Sequence, residues 1–227
     1  MPSPLTTAAF LLICLLVALA WVRMFAHLSR TLGVVAAIFL GVWLVATATL
    51  AHLHILHAEG PFPPPMLRLL LAGALAVLGL VVSPLGLRLA KETPLFALVG
   101  LQVFRLPLEF VLWQLHNEGE LPVQMTFEGR NFDVLSGLLA LPLAYALYRG
   151  LQSRALVWAW NLAGLALLAN IVQIAVRSMP GPMRTFQNEP ANTLVFTAPW
   201  VWLPVLLVLS ALAGHLLVGR RLLAEGK

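Results

Sequence analysis

The sequence is poor in the residues that soluble proteins and many enzymes depend on. Cys14 is the only cysteine among 227 residues, which excludes an intramolecular disulfide, a Cys-x-x-Cys redox pair and a cysteine zinc site. Only 10% of the residues are charged, and Asp133 is the only aspartate. The net charge is +5, yet the basic residues are dispersed and never form a run, so binding to nucleic acid is not expected.

Long apolar runs fill most of the chain, which is 60% hydrophobic with a mean hydropathy of +0.91. A helix needs about 20 apolar residues to cross roughly 30 Å of hydrocarbon. Seven runs meet or approach that length, at residues 5–24, 32–56, 66–87, 94–115, 133–148, 155–176 and 196–218. Runs this continuous fit helices rather than barrel strands. We therefore predict an all-α membrane protein whose residues 1–227 form one domain, a bundle of seven transmembrane helices.

Charge predicts the orientation of this bundle. The loops after spans one, three and five and the C-terminal tail contain nine basic residues: Arg23, Arg30, Arg88, Lys91, Arg149, Arg154, Arg220, Arg221 and Lys227. The alternate loops contain most of the acidic residues, including Glu59, Glu118, Glu120 and Glu128. The positive-inside rule then places the N-terminus outside and the C-terminus in the cytoplasm, which requires an odd number of spans. The first span lacks a basic segment before it, so we expect it to remain uncleaved.

The fourth span contains a stripe of polar and aromatic side chains. Five residues recur at steps of three or four and share one helix face: Gln102, Arg105, Glu109, Trp113 and His116. Ionisable groups at this depth normally face the protein interior or water, and the spacing of Arg105 and Glu109 permits an ion pair. Pro107 lies between them and is expected to open the helix near Val103.

Other polar residues are expected at a similar depth, and together with this stripe they predict a polar pocket open to the exoplasmic side. They are His54 and His57 in the second span and Asn170, Gln173 and Arg177 in the sixth. In the alternative interpretation, the Arg105–Glu109 pair only clamps one helix to another. The two histidines are spaced as metal ligands can be, but no complete ligand set for a metal or haem is evident, and no cofactor is predicted.

The segment at residues 125–133, MTFEGRNFD, is the densest functional-looking sequence in the chain and contains its only aspartate. Gly129 permits a turn, and Asn131 or Asp133 is placed to cap the fifth span, where free amides favour an oxygen acceptor. Glu128 and Arg130 can pair with each other or grip a polar solute. We assign Glu128, Arg130, Asn131 and Asp133 to the predicted pocket; a turn that is bonded within itself is the alternative.

This segment, the Arg105-x-x-x-Glu109 spacing and the sequence PWVWLP at residues 199–204 resemble an uncharacterised family of bacterial multi-pass membrane proteins. The resemblance covers most of the chain from the fourth span onward. It implies a location in the bacterial cytoplasmic (inner) membrane, and it implies no activity.

Two other seven-span families require residues that this chain does not have. A retinal protein needs a lysine in its last helix, whereas Lys91 and Lys227 both lie outside the predicted spans. The zinc hydrolases of the ceramidase and progestin-receptor-like group use paired histidines in the last span, where this chain has only His215. The Gly-x-Ser-x-Gly, His-Glu-x-x-His and phosphate-binding glycine motifs are also absent from the sequence.

Three functional hypotheses remain after these exclusions. The first is binding or transport of a small polar solute or lipid headgroup in the predicted pocket. The second is an intramembrane enzyme that acts on a lipid-linked substrate, with Glu109, Glu128 or Asp133 as acid or base and a histidine as its partner. The third is a structural or assembly subunit. The expected partners are the lipid bilayer, the solute, and a second copy of the chain or another membrane protein.

Overall fold

The computed structural model describes residues 1–57 and 62–225, and within them the chain is helical with no strand. Eight helices are present in this part of the chain: α1 (Pro4–Leu28), α2 (Arg30–His52), α3 (Pro65–Val82), α4 (Pro84–Glu92), α5 (Leu95–Asn117), α6 (Val134–Tyr148), α7 (Arg154–Ser178) and α8 (Leu203–Ala224). The all-helical class is therefore confirmed. Glu59 and Lys227, which contributed to the orientation argument, lie outside the described residues.

Six of the helices in the described ranges are long and apolar enough to cross a membrane, namely α1, α2, α3, α5, α7 and α8. The fifth predicted span corresponds to α6, which is apolar but only 15 residues long. At 1.5 Å per residue its length is about 22 Å, less than the usual hydrocarbon thickness. The third predicted span, at residues 66–87, is divided between two helices, because α3 ends at Val82 and the short helix α4 begins at Pro84.

Serine residues set several helix boundaries. Ser3, Ser29 and Ser83 each accept a backbone N–H from the first turn of α1, α2 and α4, respectively. Ser29 is also the single residue between α1 and α2, so these helices form a tight hairpin. A Cβ atom at Gly33 would lie 2.6 Å from the Cβ of Ala26, so glycine permits the close approach of the two helices.

Proline accompanies local changes of helix geometry in two spans. In α5 a 3₁₀ turn at Leu101–Phe104 precedes Pro107, close to where the sequence predicted an opening. In α8 the first turns, Leu203–Val208, are a π-helix that contains Pro204. Both irregular turns lie beside the buried polar residues described below.

The centre of the bundle is α8, of which 67% is buried across its most apolar stretch, compared with 17% for α2. It packs against α1, α3, α4, α5 and α7. Indole N–H groups connect the N-terminal hairpin to it: Trp21 donates to Ser210 Oγ at 2.9 Å, and Trp43 donates to the Val205 carbonyl at 2.9 Å. The helix that contributes His215 is thus held on most sides.

Two loops, at residues 118–133 and 179–202, close one end of the bundle and are joined to each other. The Gln124 side chain donates to Ser178 Oγ at 2.9 Å and accepts from Asn188 Nδ2 at 2.6 Å. Gly129 allows the first loop to fold tightly on itself, because a Cβ atom there would lie 2.2 Å from the Val123 carbonyl oxygen. We call these two segments the cap loops.

Glu118 fastens the start of α1 to the cap-loop end of α5. Its carboxylate accepts the Ser3 backbone N–H at 3.0 Å and the Thr6 hydroxyl at 2.7 Å. Partial burial raises the pKa of Glu118, but hydrogen bonds from Thr6 and Ser3 outweigh that effect and lower the pKa to about 2. Glu118 is therefore ionised at neutral pH, and the start of α1 lies at the same end as the cap loops.

Candidate functional site

Arg105 is the centre of a hydrogen-bonded cluster in the bundle interior, where its side chain is 1% exposed. The guanidinium forms a bidentate salt bridge with Asp133, in which Nε donates to Oδ2 at 2.6 Å and Nη2 donates to Oδ1. Nη1 donates to Ser136 Oγ at 2.7 Å and lies 2.8 Å from His215 Nε2. Nη2 also reaches the Gly164 carbonyl at 3.4 Å. Every guanidinium nitrogen therefore has a partner.

These contacts determine the protonation state of His215. Arginine has only donors, so His215 Nε2 must accept the hydrogen bond from Arg105 Nη1. Its proton is then on Nδ1, which donates to Asn161 Oδ1 at 2.9 Å. We assign the neutral Nδ1–H tautomer from this network. The indole of Trp160 packs beside the ring at 5.0 Å between centroids and donates to the Ser136 carbonyl at 3.2 Å.

Glu109 lies one turn after Arg105 on α5 and is also 1% exposed. Asn131 Nδ2 lies 2.8 Å from both carboxylate oxygens of Glu109. The other end of the same amide, Asn131 Oδ1, accepts the backbone N–H of Asp133 at 3.0 Å. Asn131 therefore connects the two carboxylate residues, and the MTFEGRNFD segment supplies partners for both Arg105 and Glu109.

The structure corrects two local expectations. Among the described residues Arg105 pairs with Asp133 and not with Glu109, because the 125–133 segment brings Asp133 directly against the guanidinium. Asp133 does occupy the N-cap position of α6, but its side chain makes no capping hydrogen bond there. The carboxylate is committed to Arg105 instead.

Glycines allow the helices around the cluster to approach closely. A Cβ atom at Gly164 would lie 2.3 Å from His215 Cε1, and one at Gly214 would lie 2.3 Å from Gln102 Nε2. Gln102 itself is buried and donates to the Ala211 carbonyl at 3.1 Å. Small residues commonly mediate such contacts between helices in membranes.

The polar residues expected on α7 do not join Arg105. Asn170 donates to the carbonyl of Arg130 at 2.9 Å, and Gln173 donates to Asn170 at the limiting distance of 3.5 Å. Gln173 and Arg177 are both exposed, because this stripe lies on the outer face of α7. Arg177 also lies in the last turn of the helix, near the cap loops. The residues of α7 that do reach the cluster are Trp160, Asn161 and Gly164, two to four turns earlier on the helix, where the sequence showed no polar stripe.

Other predicted pocket residues also lie at the surface or toward the cap loops. Glu128 is at the surface, and the exposed Arg130 guanidinium lies 5.4 Å from the centre of the Phe186 ring. His116 is half-buried, with Nδ1 2.9 Å from the Leu121 carbonyl oxygen. His54 and His57 are exposed, with their rings 5.6 Å apart. Within residues 1–57 and 62–225, no three His, Cys, Asp or Glu side chains are grouped to hold a metal ion.

A cavity of about 60 Å³ adjoins the cluster and is lined by Arg105, Glu109 and Asp133. This volume can contain about four water molecules. Asn192 of the second cap loop also lines it, and the remaining wall is mainly aliphatic, from α3, α7 and α8. The cavity therefore combines ionisable groups from α5 and the first cap loop with an apolar wall.

Comparison with known proteins identifies the family of the chain but no activity. No curated protein and no solved structure matches it. A family model described as "Domain of unknown function (DUF8737)" matches residues 63–223, which include every member of the buried cluster and leave α1 and α2 outside the match. Because this match covers more than half of the sequence, the chain belongs to the DUF8737 family of unknown function.

Proposed function

We propose that this protein binds, and moves across the membrane, a small polar solute or lipid headgroup in the cavity beside Glu109. The observation that carries the proposal is that three buried ionisable side chains, Arg105, Glu109 and Asp133, line one cavity whose wall is otherwise mainly apolar. Ionisable residues inside membrane spans are costly and commonly mark solute or proton pathways.

The two parts of the cluster have different roles in this proposal. Arg105 and Asp133 satisfy each other and form a fixed scaffold. Glu109 accepts from one amide nitrogen, that of Asn131, whereas a carboxylate has about four acceptor sites. Glu109 is therefore the group with hydrogen-bonding capacity left for a solute.

The proposal is tested by native mass spectrometry of the protein in a mild detergent. Wild type is expected to carry a discrete adduct. Glu109→Gln is expected to lower the occupancy of that adduct about tenfold, which corresponds to the free energy of one hydrogen bond to a charged group. Glu128→Gln is the matched control, because Glu128 lies at the surface and does not line the cavity. Equal occupancy in wild type and Glu109→Gln, or no adduct in wild type, would contradict the proposal.

We further propose seven crossings of a bacterial inner membrane, made by the six membrane-length helices and the short α6, with the N-terminus outside. Contacts among the basic segments support this arrangement, since Arg220 donates to the Ser83 carbonyl, Arg221 to the Thr93 carbonyl and Arg154 to the Leu222 carbonyl. These contacts gather the α3–α4 turn, the start of α7 and the end of α8 at one end of the bundle. The first cap loop joins α5 to α6 and the second joins α7 to α8, both at the other end.

Cysteine labelling on either side of α6 tests the crossing and the orientation. In a Cys14→Ala background, Glu128→Cys is expected to react with a membrane-impermeant maleimide in intact cells. Gln152→Cys is expected to react only after lysis; both positions are at the surface and they flank α6. Labelling of both positions from the same side would show that α6 does not cross, and the reversed pattern would overturn the orientation.

A further inference from the structure

The cavity wall carries an excess of negative charge when both of its carboxyl groups are ionised. Its ionisable members are one guanidinium, Arg105, and two carboxyl groups, Glu109 and Asp133. Asp133 neutralises Arg105, and in the described part of the chain Glu109 has no salt-bridge partner. The neighbouring His215 is neutral because it accepts from Arg105. A ligand that neutralises Glu109 must therefore be cationic.

An unsatisfied acceptor belongs to Asn192, one of the residues that line the same cavity. Asn192 is completely buried; its backbone N–H donates to the Ser178 carbonyl at 2.8 Å, and its Nδ2 donates to the Ala175 carbonyl at 3.2 Å. Its Oδ1 has no hydrogen-bond partner within residues 1–57 and 62–225. Buried side-chain oxygens rarely lack a hydrogen-bond partner, because an unpaired one costs about 1–3 kcal/mol of stability. This oxygen therefore requires a donor that the described chain does not supply.

The two acceptors and the apolar wall together specify the chemistry of the missing donor. Glu109 selects positive charge, and Asn192 Oδ1 requires an N–H or O–H group. The aliphatic side chains that complete the wall, such as Leu70, Ile171 and Leu207, favour a hydrocarbon body next to that group. An anion or a neutral polyol does not meet all three conditions, whereas an alkylammonium ion does.

We infer that the cavity binds a primary ammonium group that donates to the Glu109 carboxylate and to Asn192 Oδ1, an inference that rests on the proposed solute-binding function. A cavity of about 60 Å³ accommodates the ammonium and the first carbons of its substituent. A free alkylamine and an amino-headgroup lipid share this chemistry. The lipid would place its headgroup in the cavity from the membrane, whereas the free amine would enter from water.

Isothermal titration calorimetry of the full-length protein in detergent tests the inference with two cations of equal charge. Ethylammonium has three N–H donors and is expected to bind wild type. Tetramethylammonium has none and is expected to bind at least tenfold more weakly. Glu109→Gln is expected to abolish the ethylammonium signal, and Asn192→Ala is expected to raise its Kd at least fivefold. Equal binding of the two cations, or no ethylammonium binding, would overturn the inference.

Circular dichroism and thermal melting establish that each variant is folded. If Asn192→Ala does not fold, the comparison of ethylammonium with tetramethylammonium on wild type still tests the ammonium inference. Native mass spectra after exchange into nanodiscs of phosphatidylethanolamine or phosphatidylcholine distinguish the two sources of the amine. A retained phosphatidylethanolamine that Glu109→Gln releases identifies the lipid. An adduct without an amine that still depends on Glu109 would sustain the proposed function and overturn the ammonium inference, and the absence of any adduct would contradict both.

Discussion

Arg105→Ala is expected to lower the free energy of unfolding by about 3–5 kcal/mol, because it leaves the Asp133 carboxylate buried without its partner. Ser136 and His215 lose their guanidinium donor in the same variant. Arg105→Lys retains the charge, but an ammonium cannot form the bidentate pair with Asp133, so we expect an intermediate loss. Reversible unfolding in mixed detergent micelles, followed by circular dichroism, measures these values.

The double variant Arg105→Met/Asp133→Leu separates a structural ion pair from other effects of the substitution. Replacing a buried pair by apolar residues of similar size is often close to neutral, so the double variant is expected to be more stable than Arg105→Ala. Arg88→Ala is the matched control, since Arg88 also pairs with an acid but is exposed, and its stability is expected to stay at the wild-type value. Arg105→Ala at wild-type stability would contradict the scaffold role.

The helices were largely predictable from the sequence because apolar runs of sufficient length report directly on burial in lipid. The ends of the helices were less predictable. The run at 66–87 is continuous in hydropathy, yet the chain breaks at Ser83, where a serine cap followed by Pro84 starts a new helix. This signal was present locally, but the hydropathy of the run concealed it. The last span begins at Leu203, with Trp202 at its N-cap and Trp200 in the turn before it.

The candidate site was predictable where its residues lie on one helix and not where it joins several. Arg105 and Glu109 stood out because charge is rare at their depth. The pairing of Arg105 with Asp133 depends on how the first cap loop folds back, which spacing along one helix cannot reveal. His215 and Asn161 are isolated polar residues in apolar stretches of their helices, so no periodicity marked them. The stripe that includes Gln173 has the right spacing, but its face of α7 points away from the bundle.

Gly164→Ala is the second substitution with a large expected effect, a loss of about 1–3 kcal/mol through overpacking. The new Cβ would lie 2.3 Å from His215 Cε1 and 2.9 Å from Ser136 Oγ. The imidazole cannot yield easily, because Arg105 and Asn161 hold its two nitrogens. Its displacement would remove the acceptor from Arg105 Nη1. The same unfolding assay measures the loss, and a shift of the His215 ring resonances in NMR spectra would report the displacement.

Gly79→Ala on α3 is the matched control, because a Cβ atom there meets nothing within 4 Å and alanine is the better helix former. It is expected to be neutral or slightly stabilising. A double-mutant cycle with His215→Ala then locates the strain, because that variant removes the ring that the added methyl group would strike. The stability lost in Gly164→Ala plus that lost in His215→Ala is expected to exceed the stability lost in the double variant. Full additivity would mean that Gly164→Ala acts on stability by a route other than contact with His215, such as the contact of the new Cβ with Ser136 Oγ.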